Sequence, residues 1–135
     1  MDGLAVGIEG DANNTFRCSN LDLVHFLSHA DLGSELGEGS SSWGWTSDDG
    51  REFIAIGQSD GAAFAEISPE GKLIYLGRLP QYSVPAIWRE IRAYKNYMVI
   101  GSEAVGHNIQ IFDMTKVSLR HLHVILSRQV LTDSS

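Results

Sequence analysis

Phe53-Ile54-Ala55-Ile56-Gly57-Gln58-Ser59-Asp60-Gly61-Ala62-Ala63-Phe64-Ala65-Glu66-Ile67 reads as two short apolar strands folded around a small-residue turn. The plan recurs further along the chain. Tyr97-Met98-Val99-Ile100 leads through a second small-residue turn, Gly101 to His107, into Ile109-Gln110-Ile111-Phe112-Asp113. Each copy is headed by a tryptophan, so the motif runs from Trp43 to Ser68 and again from Trp88 to Met114. The spacing is 45 residues from Trp43 to Trp88, 44 from Gly57 to Gly101 and 45 from Ile67 to Phe112. Repeats of about 40–50 residues built from short strands mark β-propeller blades. The motif therefore predicts an all-β fold, a partial β-propeller of about two blades plus the outer strand of a preceding one.

Working outward, Ser68-Pro69-Glu70-Gly71 is a turn that delivers Lys72 to Leu79 as an outer strand. Ile87 to Tyr94 opens the second unit as a strand. The spacing of Ile87, Ile91 and Tyr94 also fits an amphipathic helix over 86–97, but the equivalent Trp43-Gly44-Trp45-Thr46 is too glycine-rich and β-prone to share it. Upstream, residues 1–17 read as an irregular leader, Asn20 to Leu27 alternates like a strand, and Asp31 to Ser42 is a loop rich in Gly, Ser and acids. The predicted organisation is thus a leader at 1–17, propeller repeats over 18–116 with units Trp43–Pro80 and Trp88–Lys116, and a tail at 117–135.

Composition narrows the function. The chain has 135 residues, 43% hydrophobic and 20% charged, which is ordinary for a globular protein. A net charge of −7 with scattered basic residues argues against a nucleic-acid partner, which demands clustered Lys and Arg. No apolar run approaches the roughly 20 residues of a membrane span, so membrane insertion is not expected. The N-terminus has neither a basic n-region nor an apolar h-region, hence no signal peptide. Asn13-Asn14-Thr15 is a glycosylation sequon in a loop, and Cys18 is the only cysteine, either an inert thiol or half of a disulfide with a cysteine outside this sequence.

Several segments resemble one family. They are Ser40-Ser41-Ser42-Trp43-Gly44-Trp45-Thr46, Gly50-Arg51-Glu52-Phe53, Gly57-Gln58-Ser59-Asp60-Gly61, Tyr75-Leu76-Gly77-Arg78-Leu79-Pro80 and Trp88-Arg89-Glu90-Ile91. The longest is Ser102-Glu103-Ala104-Val105-Gly106-His107-Asn108-Ile109-Gln110-Ile111-Phe112-Asp113-Met114-Thr115-Lys116. Together they resemble the choice-of-anchor B proteins with LVIVD repeats, over about residues 11–116. The resemblance implies a secreted or surface-attached β-propeller of several hundred residues, without an assigned enzymatic activity. Some fungal members are labelled regulatory P domain-containing proteins, a label that conveys no mechanism.

The resemblance stops at Lys116. The tail Val117 to Ser135 does not follow the family, and Lys116-Val117-Ser118 can be encoded by AAG-GTA-AGT, which matches a consensus 5′ splice donor read in frame. The expectation is that residues 117–135 translate a retained intron or come from a mispredicted gene model, and that the chain is an N-terminal fragment lacking further blades. A propeller closes by pairing a terminal strand into its ring, and repeat proteins need about three or more units. Two blades alone leave open edges and apolar faces, a marginal fragment prone to association.

Candidate chemistry is sparse. His25, His29, His107, His121 and His123 invite a metal, and Glu103 with His107, helped by Asp31 or His29, offers N and O ligands. No HExxH or CxxC motif backs this, and His121-Leu122-His123 lies in the tail, so Glu103 and His107 read as satisfying blade-turn hydrogen bonds before they read as metal ligands. Glu35 and Glu38 have no fixed separation for glycoside hydrolysis, and with Asp31 and Asp60 they lack a calcium-loop pattern. Asp48-Asp49-Gly50 serves turn geometry; no nucleophile elbow or phosphate loop occurs. Trp43, Trp45 and Trp88 read as blade-packing anchors before sugar platforms.

No catalytic residue and no cofactor is called for. The first function class is a non-catalytic extracellular or cell-surface scaffold binding a protein or carbohydrate. The second is an extracellular hydrolase or metal-dependent enzyme with residues on missing blades, which requires Glu103 and His107 to converge with Asp60 in the central channel.

Overall fold

The computed structural model describes residues 3–117, and everything below concerns these. The fold is all-β. Nine strands form three antiparallel sheets, none of them closed. A hairpin pairs β1 (Gly3–Val6) with β2 (Thr15–Cys18). A four-stranded meander follows, with β3 (Gly39–Thr46), β4 (Glu52–Gln58), β5 (Gly61–Ile67) and β6 (Leu73–Pro80) in sequence order. A three-stranded meander contains β7 (Arg89–Tyr94), β8 (Tyr97–Ser102) and β9 (Ile109–Asp113).

The two outer hairpin turns of the four-stranded sheet share one chemistry. Ser47-Asp48-Asp49-Gly50-Arg51 and Ser68-Pro69-Glu70-Gly71-Lys72 each begin with a serine and place a glycine at positive φ, +82° at Gly50 and +81° at Gly71. In both, the glycine N–H donates to the serine carbonyl, at 2.9 and 2.8 Å. The serine N–H then bonds the residue after the glycine, Arg51 O at 2.9 Å and Lys72 O at 2.8 Å. Only glycine adopts that left-handed position without steric cost, so the sequence stops and reverses each strand there. Between them, β4 and β5 reverse through Ser59-Asp60 alone, since Gln58 still pairs with Gly61. A Cβ on Gly61 would sit 2.6 Å from the Leu79 carbonyl oxygen of β6. Gly61→Ala is therefore expected to push β5 and β6 apart and to cost about 2 kcal/mol or more in urea unfolding.

The core lies between the two larger sheets. Phe53, Ala55, Ala62 and Phe64 from β4 and β5 meet Ile91, Met98 and Ile100 from β7 and β8, with Leu79, Met114 and Val117 closing the margins. Phe64 stacks on Phe112 with ring centroids 4.6 Å apart. The first strands of the two sheets lie side by side, β3 against β7. Their junction is made by hydroxyls. Ser41 Oγ donates to Arg89 O at 2.8 Å and accepts from Ile91 N at 3.0 Å, so a serine pair on β3 satisfies the exposed edge of β7.

Three expectations need correction. Residues 1–17, read as an irregular leader, contain the β1–β2 hairpin and a 3-10 turn over Ala12–Asn14 capped by Asp11. Asn20 to Leu27, read as a strand, is irregular. Its apolar side chains find no common face, with Leu21 76% and Val24 64% exposed, and His25 reaches the β6 edge by its side chain, Nδ1 accepting from Leu73 N at 3.1 Å. The tryptophan spacing also misleads about equivalence. Trp43 pairs with Ala55 across β3–β4, whereas in the second sheet Ile91 holds that place opposite Ile100. Trp88 precedes β7 altogether and is 64% exposed, so it is no packing anchor. The stretch offered as a helix, 86–97, holds the β7 strand.

The boundary at Lys116 is closed by a 3-10 turn, Met114–Lys116, capped by Asp113, whose side chain accepts from Thr115 N at 3.0 Å. That turn carries Met114 and Val117 into the core, at 0% and 1% exposure. Val117, the first residue assigned to the tail, is thus packed; the rest of the tail, with His121 and His123, lies outside the described residues.

Candidate functional site

Strand ends and turns gather Gln58, Ser59, Asp60, Gln81, Arg89 and His107 at one end of the two sheets, and the candidate polar residues must be judged there. Period-two alternation places Arg89, Ile91 and Ala93 on the same face of β7, the face that packs on the first sheet. Arg89 is consequently buried, 2% exposed. Its fork is filled by three acceptors from three elements. Nε donates to Gln58 O at 2.9 Å, Nη2 to Gln81 Oε1 at 2.7 Å and Nη1 to His107 Nε2 at 2.7 Å. Burial pushes the guanidinium pKa down, the nearby Asp60 charge raises it and Arg78 lowers it again. An arginine keeps its proton in proteins, so this is a buried cation stabilised by hydrogen bonds.

His107 is 2% exposed and has both ring nitrogens engaged. Nδ1 lies 2.9 Å from the Asn108 carbonyl oxygen, which can only accept. Nδ1 therefore carries the proton, and the Nε2 lone pair accepts from Arg89. Glu103, four residues earlier, faces solvent, and its N–H bonds Trp88 O at 3.4 Å. The turn separates the two residues that the metal reading would unite.

Asp60 belongs to a second clamp. Burial alone would raise its carboxyl, but Arg78 Nη2 at 2.5 Å, Ser34 Oγ at 2.9 Å and Glu35 N at 2.9 Å outweigh it and hold the pKa at about 2. Arg78 Nη1 also donates to Gly33 O at 2.7 Å. The pair thus fastens the irregular segment 28–38 over the turn. Glu35 and Glu38 are themselves exposed and act through their backbones, Glu38 O accepting from Ser59 N at 3.1 Å. His29 Nδ1 lies 3.3 Å from Gln58 Nε2, and Asp31 accepts from Ser28 N and Oγ. Among the described residues no three His, Cys, Asp or Glu side chains form a metal-sized group.

A pH dependence follows. Because the folded pKa of Asp60 lies below its ordinary value of 3.8, the clamp stabilises the fold fully above about pH 4 and loses that contribution as pH falls towards 2. The contribution is on the order of 2 kcal/mol. Urea midpoints taken between pH 5 and 2 are expected to fall more steeply for the wild-type chain than for Asp60→Asn.

Asn13 is exposed in the 3-10 turn between β1 and β2. Cys18, half-buried at the end of β2, lines a cavity of about 300 Å³ with Gly3, Leu4, Ala5, Asp22 and Leu23. No helix among the described residues is long and apolar enough to cross a membrane. Compared with models of known families, with curated proteins and with solved structures, the chain matches none.

Arg89 is the residue that sequence reasoning passed over. Its signal was present: an arginine in the alternation of Ile91 and Ala93 falls on the core face of a strand. Asp60 was read for its turn and for calcium, and its partner Arg78 lies on β6, which no local spacing connects to it.

Proposed function

We propose that this chain is part of a β-propeller of the choice-of-anchor B type. It acts as a non-catalytic binding scaffold outside the cell or at its surface, with a protein or a carbohydrate as partner. One observation carries the scaffold reading: both nitrogens of His107, the candidate base or ligand, are spent on holding Arg89 and the Asn108 carbonyl. Its chemistry serves the junction between sheets. The blade reading draws support from two successive meanders that pack face to face with their first strands side by side. At the turn end, Tyr82, Val84, Trp88 and Val105 expose apolar surface on the connections β6–β7 and β8–β9, the surface type that recognition uses.

The test takes the full product of the gene, purified and imaged by electron microscopy. The same preparation is assayed on chromogenic esters and glycosides with and without zinc or calcium. A ring-shaped particle without turnover is expected. A particle with no ring overturns the propeller, and turnover that disappears in a His107→Gln variant still showing the wild-type unfolding transition replaces the scaffold with the hydrolase or metal-enzyme class.

A further inference from the structure

We propose that Asn13 is an acceptor for an N-linked glycan in every copy of this chain that enters the secretory pathway. The inference rests on the extracellular reading above for its biological occurrence, but its chemistry stands on the hairpin itself. The chain has five asparagines, Asn13, Asn14, Asn20, Asn96 and Asn108, and only Asn13 is followed two residues later by Ser or Thr.

The fold then treats the two adjacent asparagines differently. Asn14 is half-buried and its Nδ2 donates to Asp11 Oδ2 at 2.7 Å, so its amide is engaged. Asn13 is exposed, and only its backbone N–H is held, by Asp11 Oδ1 at 2.9 Å. Its side-chain amide has no partner among the described residues. Thr15, the hydroxyl residue of the sequon, anchors the start of β2 and donates Oγ1 to Asp11 O at 3.1 Å. One aspartate thus fixes the turn, and Asn13 stays exposed on it. The neighbourhood is open: a Cβ built on Gly10, on the same connection, meets no atom within 4 Å. A bulky polar glycan fits such a surface turn, whereas on Asn14 it would displace a hydrogen bond that closes the turn.

The step is an ordinary glycosyl transfer from a polyprenyl-diphosphate-linked oligosaccharide. The Asn13 Nδ2 nitrogen bonds to the anomeric carbon while that carbon's bond to the diphosphate oxygen breaks. The electron pair leaves with the polyprenyl diphosphate, and one amide proton passes to base.

Two arms separate the site from the localisation. In the first, the full chain is expressed behind an added secretion leader in a eukaryotic host, and the secreted product is digested with an amidase that releases N-glycans in heavy-oxygen water. Heavy-oxygen label is expected at position 13, with the glycoform mobility shift lost in Asn13→Gln and in Thr15→Val and retained in Thr15→Ser. A secreted chain without label, or a shift that survives Asn13→Gln, overturns the site. In the second arm, the native product is recovered from the source cells and their medium. Label there is expected; a native chain found unglycosylated inside cells, after a positive first arm, overturns the extracellular reading and leaves the acceptor site standing.

Discussion

Replacing Arg89 by methionine is expected to destabilise the folded chain by about 3 kcal/mol. Methionine approximates the buried length of the side chain but supplies no donor. It leaves Gln58 O, Gln81 Oε1 and His107 Nε2 without the hydrogen bonds they now receive, at a junction 2% exposed. Arg89→Lys is expected to recover little of the loss, because an ammonium is a point charge that cannot serve three acceptors in one plane. Urea unfolding followed by tryptophan fluorescence checks both. If His107 were instead a working base, His107→Gln would abolish chemistry while costing little stability; the structure makes it a partner of Arg89, so a loss of stability is the expected outcome.

Phe64→Ala is expected to cost 3–5 kcal/mol, roughly the range for removing a buried aromatic ring, and to abolish the cooperative transition if the parent is less stable than that. Phe64 is 3% exposed and sits where one sheet faces the other, its ring 4.6 Å from that of Phe112. Its cross-strand partners are Ala55 and Gly77 and its same-face neighbour on β5 is Ala62, so the residues beside the ring are too small to collapse into the space it vacates. The cavity term is then large. Tyr94→Ala, on a side chain 67% exposed, is the control and is expected to move stability by less than about 0.5 kcal/mol.

Both substitutions act on contacts between sheets, and that is also where the sequence was hardest to read. The strands of the first meander were legible because Phe53 to Ile67 alternates around a glycine turn and because Ser68-Pro69-Glu70-Gly71 is turn chemistry at fixed offsets. Local rules suffice for such features. The repeat itself was legible, but its register was not. Trp43 and Trp88 share a spacing of 45 residues, yet strand pairing matches Trp43 with Ile91, because the β3–β4 turn over Ser47 to Arg51 is longer than the Lys95-Asn96 turn between β7 and β8. Asn20 to Leu27 shows the converse failure. Alternation suggests a strand, but a strand also needs a neighbour to complete its ladder, and this segment makes one side-chain bond to β6, through His25, and a ring contact to β2, through Phe26.

Glu103 and His107 illustrate how much of a site can be named without being assembled. Both were picked out for chemistry that metal and acid–base sites use. The fold buries one and exposes the other, because His107 completes the coordination of a cation contributed by a different sheet strand. Asp60 was named too, and its depressed pKa reflects a fastening role between Arg78, Ser34 and Glu35. In each case the deciding partner lies well outside any local window, Arg89 being 18 residues from His107 and Ser34 being 26 from Asp60.

The proposal that the two meanders are successive blades of a larger propeller rests on their packing with first strands side by side. Sequencing the transcript across the Lys116 codon tests it most directly. The account predicts a splice junction directly after that codon, joining to sequence that encodes further strand-turn-strand units. Continuous reads through Ser135 to a stop codon would contradict it.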